Sequence, residues 1–227
     1  MHSFNNIKAV IFDLDGTLVN TISDLAKSVD YALAKFGFSC HTLAEYTSYV
    51  GNGTLKLIER SLPQNVRDDK ALLEGVHNTF SEYYAEHFCD SSTAYDGISD
   101  LLDYLQNRGV ALCVNSNKPD RFTKAIIEKL FPNYEFAVCI GARDNVPKKP
   151  DPASEIEIAE TLGFSKTQIL HIGDSDVDIL TAHNAGIKAI GCSWGFRSKE
   201  SLVQAGADYM ADSPAEIKEF FKKGCNL

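Results

Sequence analysis

Short apolar runs alternate with amphipathic segments from residue 97 to the end of the chain, and this alternation constrains the fold more than any other feature. Several runs lack polar alternation, as expected when helices cover both faces of a parallel sheet. Together with a run near the N-terminus, the predicted strands are Lys8–Asp13, Val110–Asn115, Glu135–Ile140, Gln168–Ile172, Ile187–Cys192 and Asp208–Met210. The pattern predicts an α/β protein with a doubly wound parallel sheet, a Rossmann-like core.

The segments between these strands have helical periodicity and recognisable ends. Asp151 is a candidate N-cap, Pro152 suits the first helical position, and Gly163 is a typical C-terminal stop. The predicted helices of this region are Ile98–Asn107, Arg121–Leu130, Pro152–Leu162, Val177–Asn184, Ser198–Ala205 and Pro214–Lys222.

The connection from Leu18 to Asp96 breaks the rhythm, because a parallel crossover needs only about a dozen residues. Its pattern is helical, with helices predicted at Asp24–Phe36, at Thr54–Leu62 and, as one helix or two, at Arg67–Phe88. The first has an apolar stripe of Leu25, Val29, Leu33 and Phe36, which needs a partner to be buried. We therefore predict a helical domain at residues 18–93, inserted into a core formed by residues 1–17 and 94–227.

Composition excludes several classes of protein. Twenty-two basic and 31 acidic residues give a net charge of −9, which argues against nucleic acid or an anionic membrane as the main partner. The apolar runs are far too short to span a membrane, and the first residues lack the pattern of a secretory signal. The six widely spaced cysteines show no zinc-binding spacing, so we expect them to be reduced and the protein to be cytoplasmic.

Two predicted strands end in acidic residues. Asp13 and Asp15 follow the first strand, and Asp174 ends a later one, with Asp178 four residues beyond it. Carboxyl ends of parallel strands meet at one sheet edge, so these side chains would form an oxygen-ligand site suited to Mg²⁺. The alternatives are solvated acids in a turn after the first strand and, for Asp176 and Asp178, acids that complement a helix dipole.

Two further segments offer ligands for an anion. The run from Asn115 to Lys118 ends another strand with a hydroxyl at Ser116, a backbone amide at Asn117 and an ammonium group. Lys149 precedes a helix, and an acidic site needs a nearby cation to admit a phosphate. Ser116 could equally be a turn residue, and the neighbouring Lys148 is expected to be a solvated surface lysine.

Taken together, these segments resemble the four motifs of haloacid dehalogenase-like hydrolases. The matching positions are Asp13–Thr17, Ser116, Lys149-Pro150 and Gly173–Asp178, so the resemblance covers most of the chain. The helical insertion resembles the cap domain of that superfamily, and Tyr49–Gly53 resembles phosphoglycolate phosphatases. Two positions depart from the pattern: Asn20 stands where Asp is common, and Ser116 replaces Thr while keeping the hydroxyl.

The resemblance implies a reaction through an aspartyl-phosphate. Asp13 would attack phosphorus, and Asp15 would protonate the leaving group and then accept a proton from water. Mg²⁺ would be bound by Asp13, the backbone carbonyl of Asp15 and Asp174, with Asp178 in support.

The resemblance also implies a set of substrate contacts. The phosphate oxygens would be bound by Ser116, the amide of Asn117 and Lys149. The cap would close over the substrate, with a loop formed by Gly51, Asn52 and Gly53 reaching into the site. The alternative for this loop is a plain turn between two helices.

Some residues keep more than one interpretation. Lys56 and Arg60 could attract a substrate carboxylate, although solvated helix faces are the favoured reading. His171 is expected to be a hydrogen-bonded core histidine, and His183 to be structural. Trp194 could either pack beneath the site or contact ligand, and Arg197 is a further candidate for the rim of the site.

The favoured function is a phosphatase for a small phosphorylated metabolite, with 2-phosphoglycolate first among the candidates. A pyrophosphatase or a sugar-phosphate phosphatase of the same family is the alternative enzyme. A phosphate-binding regulatory module is the alternative without catalysis, although binding alone would not require Asp15. A dinucleotide oxidoreductase is disfavoured, because acids stand where a Gly-rich loop is needed. We expect a monomer or a weak homodimer.

Overall fold

The computed structural model describes residues 4–222, whose contacts form two compact units. One unit runs to Val19 and resumes at Ala94, and the other is Asn20–Thr93. The strands are β1 (Ala9–Phe12), β2 (Val19–Asn20), β3 (Thr93–Ala94), β4 (Ala111–Pro119), β5 (Phe136–Ala142), β6 (Ile169–Gly173), β7 (Lys188–Cys192) and β8 (Tyr209–Ala211). The helices are α1 (Ile22–Lys35), α2 (Leu43–Tyr49), α3 (Thr54–Ser61), α4 (Lys70–His87), α5 (Ile98–Asn107), α6 (Asp120–Leu130), α7 (Ala153–Leu162), α8 (Asp176–Ala185), α9 (Lys199–Gln204) and α10 (Pro214–Lys222).

The first unit contains a parallel sheet of six strands in the order β5-β4-β1-β6-β7-β8. All four residues of β1 are fully buried, so both faces of this strand are covered. Ile11 belongs to a core cluster with Ile158 of α7 and Ile179 of α8. Alternate residues of a strand point to opposite faces, so Val10 and Phe12 fill the other side. The predicted α/β fold with a doubly wound parallel sheet is confirmed.

The central strands β4, β1 and β6 place the chemistry-bearing residues. β1 pairs in register with β4 on one side and with β6 on the other, so Phe12 lies between Val114 and Ile172. The residues that follow these three positions therefore emerge side by side at one sheet edge. β4 extends to Pro119, beyond its predicted end at Asn115, with irregular register after Asn115.

The helical unit has a core built from the apolar stripes of α1 and α4. Leu25 and Val29 of α1 are buried, as are Phe80 and Tyr84 of α4. The prediction that Phe36 belongs to the α1 stripe is wrong: the helix ends at Lys35, and Phe36 is 39% exposed.

Buried Asp24 joins the two ends of this helical unit. Its carboxylate accepts hydrogen bonds from the amide of Ser91 at 2.9 and 3.0 Å and from the hydroxyl of Ser92 at 2.6 Å. At the start of α1, the side chain of Asn20 accepts a hydrogen bond from the amide of Ile22 at 3.4 Å.

Several predicted element ends move by a few residues. The segment Arg67–Phe88 forms a single helix that begins at Lys70, after a 3₁₀ turn at Gln64–Val66. α7 begins at Ala153 rather than at Pro152, and Asp151 accepts a hydrogen bond from the Ala153 amide at 2.9 Å. The five described cysteines are free thiols, whereas Cys225 lies outside the described residues.

Candidate active site

Three carboxylates meet at the edge where β1 and β6 end. Asp13 follows β1, Asp174 follows β6, and Asp178 lies in the first turn of α8. One carboxylate oxygen from each lies within 4.8 Å of the others, and all three residues are buried. The sequence-predicted convergence of residues 13 and 174 is thus present in the fold.

Glycines make room for these carboxylates. A Cβ added to Gly16 would lie 2.3 Å from an oxygen of Asp174, and one added to Gly195 would lie 2.5 Å from the same oxygen. A Cβ at Gly173 would meet the Asp178 side chain at 2.3 Å. Such separations are far below van der Waals contact, so a larger residue fits at these positions only if a carboxylate moves and, at Gly195, if the carbonyl of Gly16 moves as well.

Asp174 is held by donors from two loops. The hydroxyl of Thr17 donates to one carboxylate oxygen at 3.2 Å, and the backbone amide of Phe196 donates to the other at 2.6 Å. The indole of Trp194 donates to the carbonyl of Thr17 at 3.1 Å. Trp194, whose role the sequence left open, therefore buttresses the turn that follows β1.

Lys149 is the cation at the centre of the cluster. An ammonium group has three N–H donors, and Nζ of Lys149 lies 2.9 Å from Asp13 Oδ1, 2.8 Å from the carbonyl of Asn115 and 2.6 Å from Asp178 Oδ1. The side chain of Asn117 accepts from the Lys149 amide at 2.9 Å and donates to its carbonyl at 3.1 Å. The sequence predicted a role only for the backbone amide of Asn117, as a phosphate ligand. Its side chain also holds the backbone of Lys149 in place.

The charges of the cluster shift its pKa values in opposite directions. Burial raises the pKa of Asp13 to about 6, and Asp178 adds to the rise, while Lys149 opposes it. Burial, with Asp178 and Asp13, raises the pKa of Asp174 well above its ordinary value. Burial also acts to raise the pKa of Asp178, but Lys149 and His171 lower it below the usual range. Three acids and one ammonium leave a buried excess of negative charge.

The donor set fits a divalent cation. Carboxylate oxygens are the ligands preferred by Mg²⁺, and glycine-lined space keeps two of them close together. The buried negative excess gives the cation an electrostatic reason to bind, because bringing like charges together is otherwise unfavourable.

Two residues of the phosphate-binding prediction make local contacts. The Ser116 hydroxyl accepts a hydrogen bond from the amide of Lys118 at 3.2 Å. This contact is typical of a turn residue, which was the alternative to a phosphate-binding role for Ser116. Lys118 donates to both carboxylate oxygens of Asp15, at 2.9 and 3.2 Å. The Lys118 side chain is 2% exposed, and that of Asp15 is 14% exposed.

Sequence reasoning missed a buried acid beneath the site. Glu155 of α7 accepts hydrogen bonds from Asn115 at 3.0 Å and from Nδ1 of His171 at 2.7 Å. Burial opposes charge on both partners, but their mutual attraction lowers the pKa of Glu155 and raises that of His171 to about 9. His171 is thus the buried, hydrogen-bonded core histidine that the sequence predicted, and its Nε2 lies 3.5 Å from Asp178.

The predicted substrate loop of the helical unit connects two helices, and the two candidate cations of this unit lie on the second of them. Gly51, Asn52 and Gly53 join α2 to α3, with positive φ angles of 117° and 87° at the two glycines. Arg60 donates to the carbonyl of Tyr49 and to Asn52, and Lys56 pairs with Glu59. Outside this unit, His183 pairs with Asp208, and Arg197 follows Phe196 in a loop of the sheet unit.

Comparison with known proteins places the chain in a family. It is similar to the phosphoglycolate phosphatase of Haemophilus influenzae strain 86-028NP, with 33% identity over 215 residues that cover 92% of this chain and 96% of the relative. The phosphoglycolate phosphatase of Mannheimia succiniciproducens is also 33% identical, over 218 residues that cover 94% and 97%. A crystal structure from Haemophilus somnus, described as a predicted phosphoglycolate phosphatase, has a TM-score of 0.87 at 29% identity and covers 94% of this chain and 97% of that one.

Within residues 4–222, no helix has both the length and the apolar character that a membrane span requires. Residues 10–192 match the family model described as haloacid dehalogenase-like hydrolase. Because this match covers most of the sequence and the relatives are similar along nearly all of it, the chain belongs to the haloacid dehalogenase-like hydrolase family.

Proposed function

We propose that this protein is a Mg²⁺-dependent phosphatase that hydrolyses a small phosphorylated metabolite, with 2-phosphoglycolate as the preferred substrate. The observation that carries the proposal is the contact between Asp13 and Lys149 inside a cluster of three buried carboxylates. The relatives named phosphoglycolate phosphatase support the choice of substrate.

Mg²⁺ would be bound by Asp13 and Asp174, with the backbone carbonyl of Asp15 as a further ligand and Asp178 in support. The ion would offset the repulsion between an anionic nucleophile and an anionic phosphate ester, which is a main barrier to this reaction. The raised pKa values of Asp13 and Asp174 support this assignment, because both acids need a cation beside them to be ionised together.

Asp13 would act as the nucleophile. Its carboxylate attacks phosphorus, the bond from phosphorus to the ester oxygen breaks, and an aspartyl-phosphate forms. Asp15 donates a proton to the departing oxygen, then takes one from the water that attacks the aspartyl-phosphate, which restores both acids. Lys149, Ser116 and the amide of Asn117 would contact the phosphoryl oxygens, where charge develops in the transition state.

Three further assignments remain our proposals. Residues 18–93 would form the cap domain of this family, and Gly51, Asn52 and Gly53 would form its substrate loop. We also propose a cytoplasmic location, consistent with five free thiols among the described residues.

Phosphate release from 2-phosphoglycolate tests the catalytic proposal. We expect turnover with Mg²⁺ and none with EDTA, and a loss of at least about a thousandfold for Asp13→Asn, since an amide is a poor nucleophile. Asp176→Asn is the matched control, because Asp176 lies on α8 outside the carboxylate cluster. Unchanged turnover in EDTA would reject the proposed Mg²⁺ dependence. Binding of phosphate without any turnover would instead support the regulatory module.

A substrate panel tests the identity of the substrate. The rate with 2-phosphoglycolate should exceed those with pyrophosphate and with hexose phosphates. A preference for pyrophosphate or a hexose phosphate would instead support the alternative enzymes of the family, while equal rates on all would reject the phosphoglycolate assignment.

A further inference from the structure

Lys118 is a buried cation beside the proposed acid–base residue. Nζ lies 2.9 and 3.2 Å from the two carboxylate oxygens of Asp15, and the lysine side chain is 2% exposed. Among the described residues 4–222, Lys118 and Lys149 are the buried lysines. Both lie in the sheet unit at the edge where the carboxylates meet, but they contact different acids.

The two lysines are placed for different parts of a phosphate ester. Lys149 binds Asp13 and Asp178, so it belongs with the nucleophile and the phosphoryl group. Lys118 binds Asp15, whose proposed role is to protonate the leaving oxygen. A cation in contact with Asp15 therefore lies on the leaving-group side of the reacting phosphorus.

The leaving group of 2-phosphoglycolate carries a carboxylate one carbon away from the ester oxygen. An ammonium group on that side can attract this carboxylate, and burial strengthens the attraction because water screens it less. The sequence suggested two other cations for the task, both in the helical unit. The Lys56 side chain is 52% exposed, and Arg60 donates to Tyr49 and Asn52 of its own unit, whereas Lys118 is buried beside the proposed acid–base residue.

We propose that Lys118 determines specificity by selecting phosphate esters whose leaving group bears a carboxylate next to the ester carbon. The inference rests on the proposed phosphatase function and adds a recognition residue within the sheet unit. It differs from a role in holding Asp15 alone, because Asp15 is needed for every ester, whereas carboxylate recognition matters only for acidic ones.

The test compares two esters of the same length. One is 2-phosphoglycolate, and the other is 2-hydroxyethyl phosphate, which has a neutral hydroxymethyl group in place of the carboxylate. The measured quantity is the ratio of their kcat/KM values. Any displacement of Asp15 affects both substrates and cancels in this ratio, so the ratio reports carboxylate recognition.

We expect the wild-type ratio to favour 2-phosphoglycolate and to fall about 10- to 150-fold in Lys118→Met, the value typical of a lost hydrogen bond to a charged group. Lys118→Arg, which keeps the charge, should retain the ratio within about threefold. Lys148→Met is the control for loss of a lysine, because Lys148 is exposed. Thermal unfolding of each variant checks that it is folded.

Three results would overturn the inference. The first is a Lys118→Met variant that loses activity on both esters by the same factor, which would make Lys118 a positioning residue for Asp15. The second is a wild-type enzyme that hydrolyses both esters equally well. The third, no phosphate release from either ester by the wild type with Mg²⁺, would reject the proposed function itself and this inference with it.

Discussion

Replacing Glu155 with Gln tests the buried ion pair that lies beneath the carboxylate cluster. Glu155 and His171 are both fully buried, with 2.7 Å between the carboxylate and Nδ1. Burial alone would lower the pKa of His171, but the attraction of Glu155 raises it from 6.5 to about 9. Gln is similar in shape and uncharged, so the variant removes the main reason for His171 to keep its proton.

The sign of the pH effect follows from the two pKa values. Between pH 6.5 and about 9 the folded protein holds the His171 proton and the unfolded chain releases it. The stabilisation is therefore fully present below pH 6.5 and is lost as the pH rises through about 9. The gap between the two values corresponds to about 3 kcal/mol. The wild-type free energy of unfolding should fall by about this amount across the window, relative to Glu155→Gln.

Urea unfolding across this pH range, in EDTA so that metal binding does not contribute, measures the difference. The difference in the free energy of unfolding between wild type and Glu155→Gln should be largest below pH 6.5, and it should become smaller as the pH approaches 9. Glu157→Gln is the control, because Glu157 lies on the same helix and its side chain is 44% exposed. If the free energy of unfolding depended on pH in the same way for wild type and Glu155→Gln, the reasoning would be refuted, because Glu155 would then not keep His171 charged.

Three other outcomes follow from the site. Lys149→Met should lower kcat/KM for 2-phosphoglycolate at least about a hundredfold, by removing the cation beside Asp13; a loss below about threefold would contradict that role. Gly16→Ala should weaken Mg²⁺ binding at least about tenfold in calorimetry, since its Cβ would lie 2.3 Å from Asp174, and wild-type affinity would show that the loop absorbs the methyl group. Mg²⁺ affinity should decline as the pH falls through about 6, because Asp13 becomes protonated there, and a pH-independent affinity would count against Asp13 as a ligand.

The convergence of the motif residues could be predicted from the sequence because it depends on topology. Apolar runs without polar alternation indicated parallel strands, and parallel strands that are neighbours in a sheet end at one edge. Asp13 and Asp174 therefore had to meet once β1 and β6 were neighbours. The position of the Asp174 carboxylate also depends on Gly16 and Gly195, which lie too close to it to carry a side chain. Hydrophobic periodicity does not reveal this close approach.

The missed features are those set by tertiary packing. Helix α2 is an exception, because it was missed although Thr42 and Glu45 form a capping box that the sequence signals; its length of only seven residues leaves little helical periodicity. Glu155 lies among other acids on α7, and helical periodicity does not tell which of them is buried against His171. The partner of Lys118 is distant in sequence, so its contact with Asp15 required the fold.

Isothermal titration of the metal-free protein with Mg²⁺ tests most directly whether Asp13, Asp174 and Asp178 form one cation site. The wild type should bind one ion per chain, and Asp174→Asn should bind it at least about tenfold more weakly, because a charged ligand is lost. Asp176→Asn, outside the cluster, should behave as the wild type does. Wild-type affinity in Asp174→Asn would contradict the account, because the ion would then be bound somewhere else.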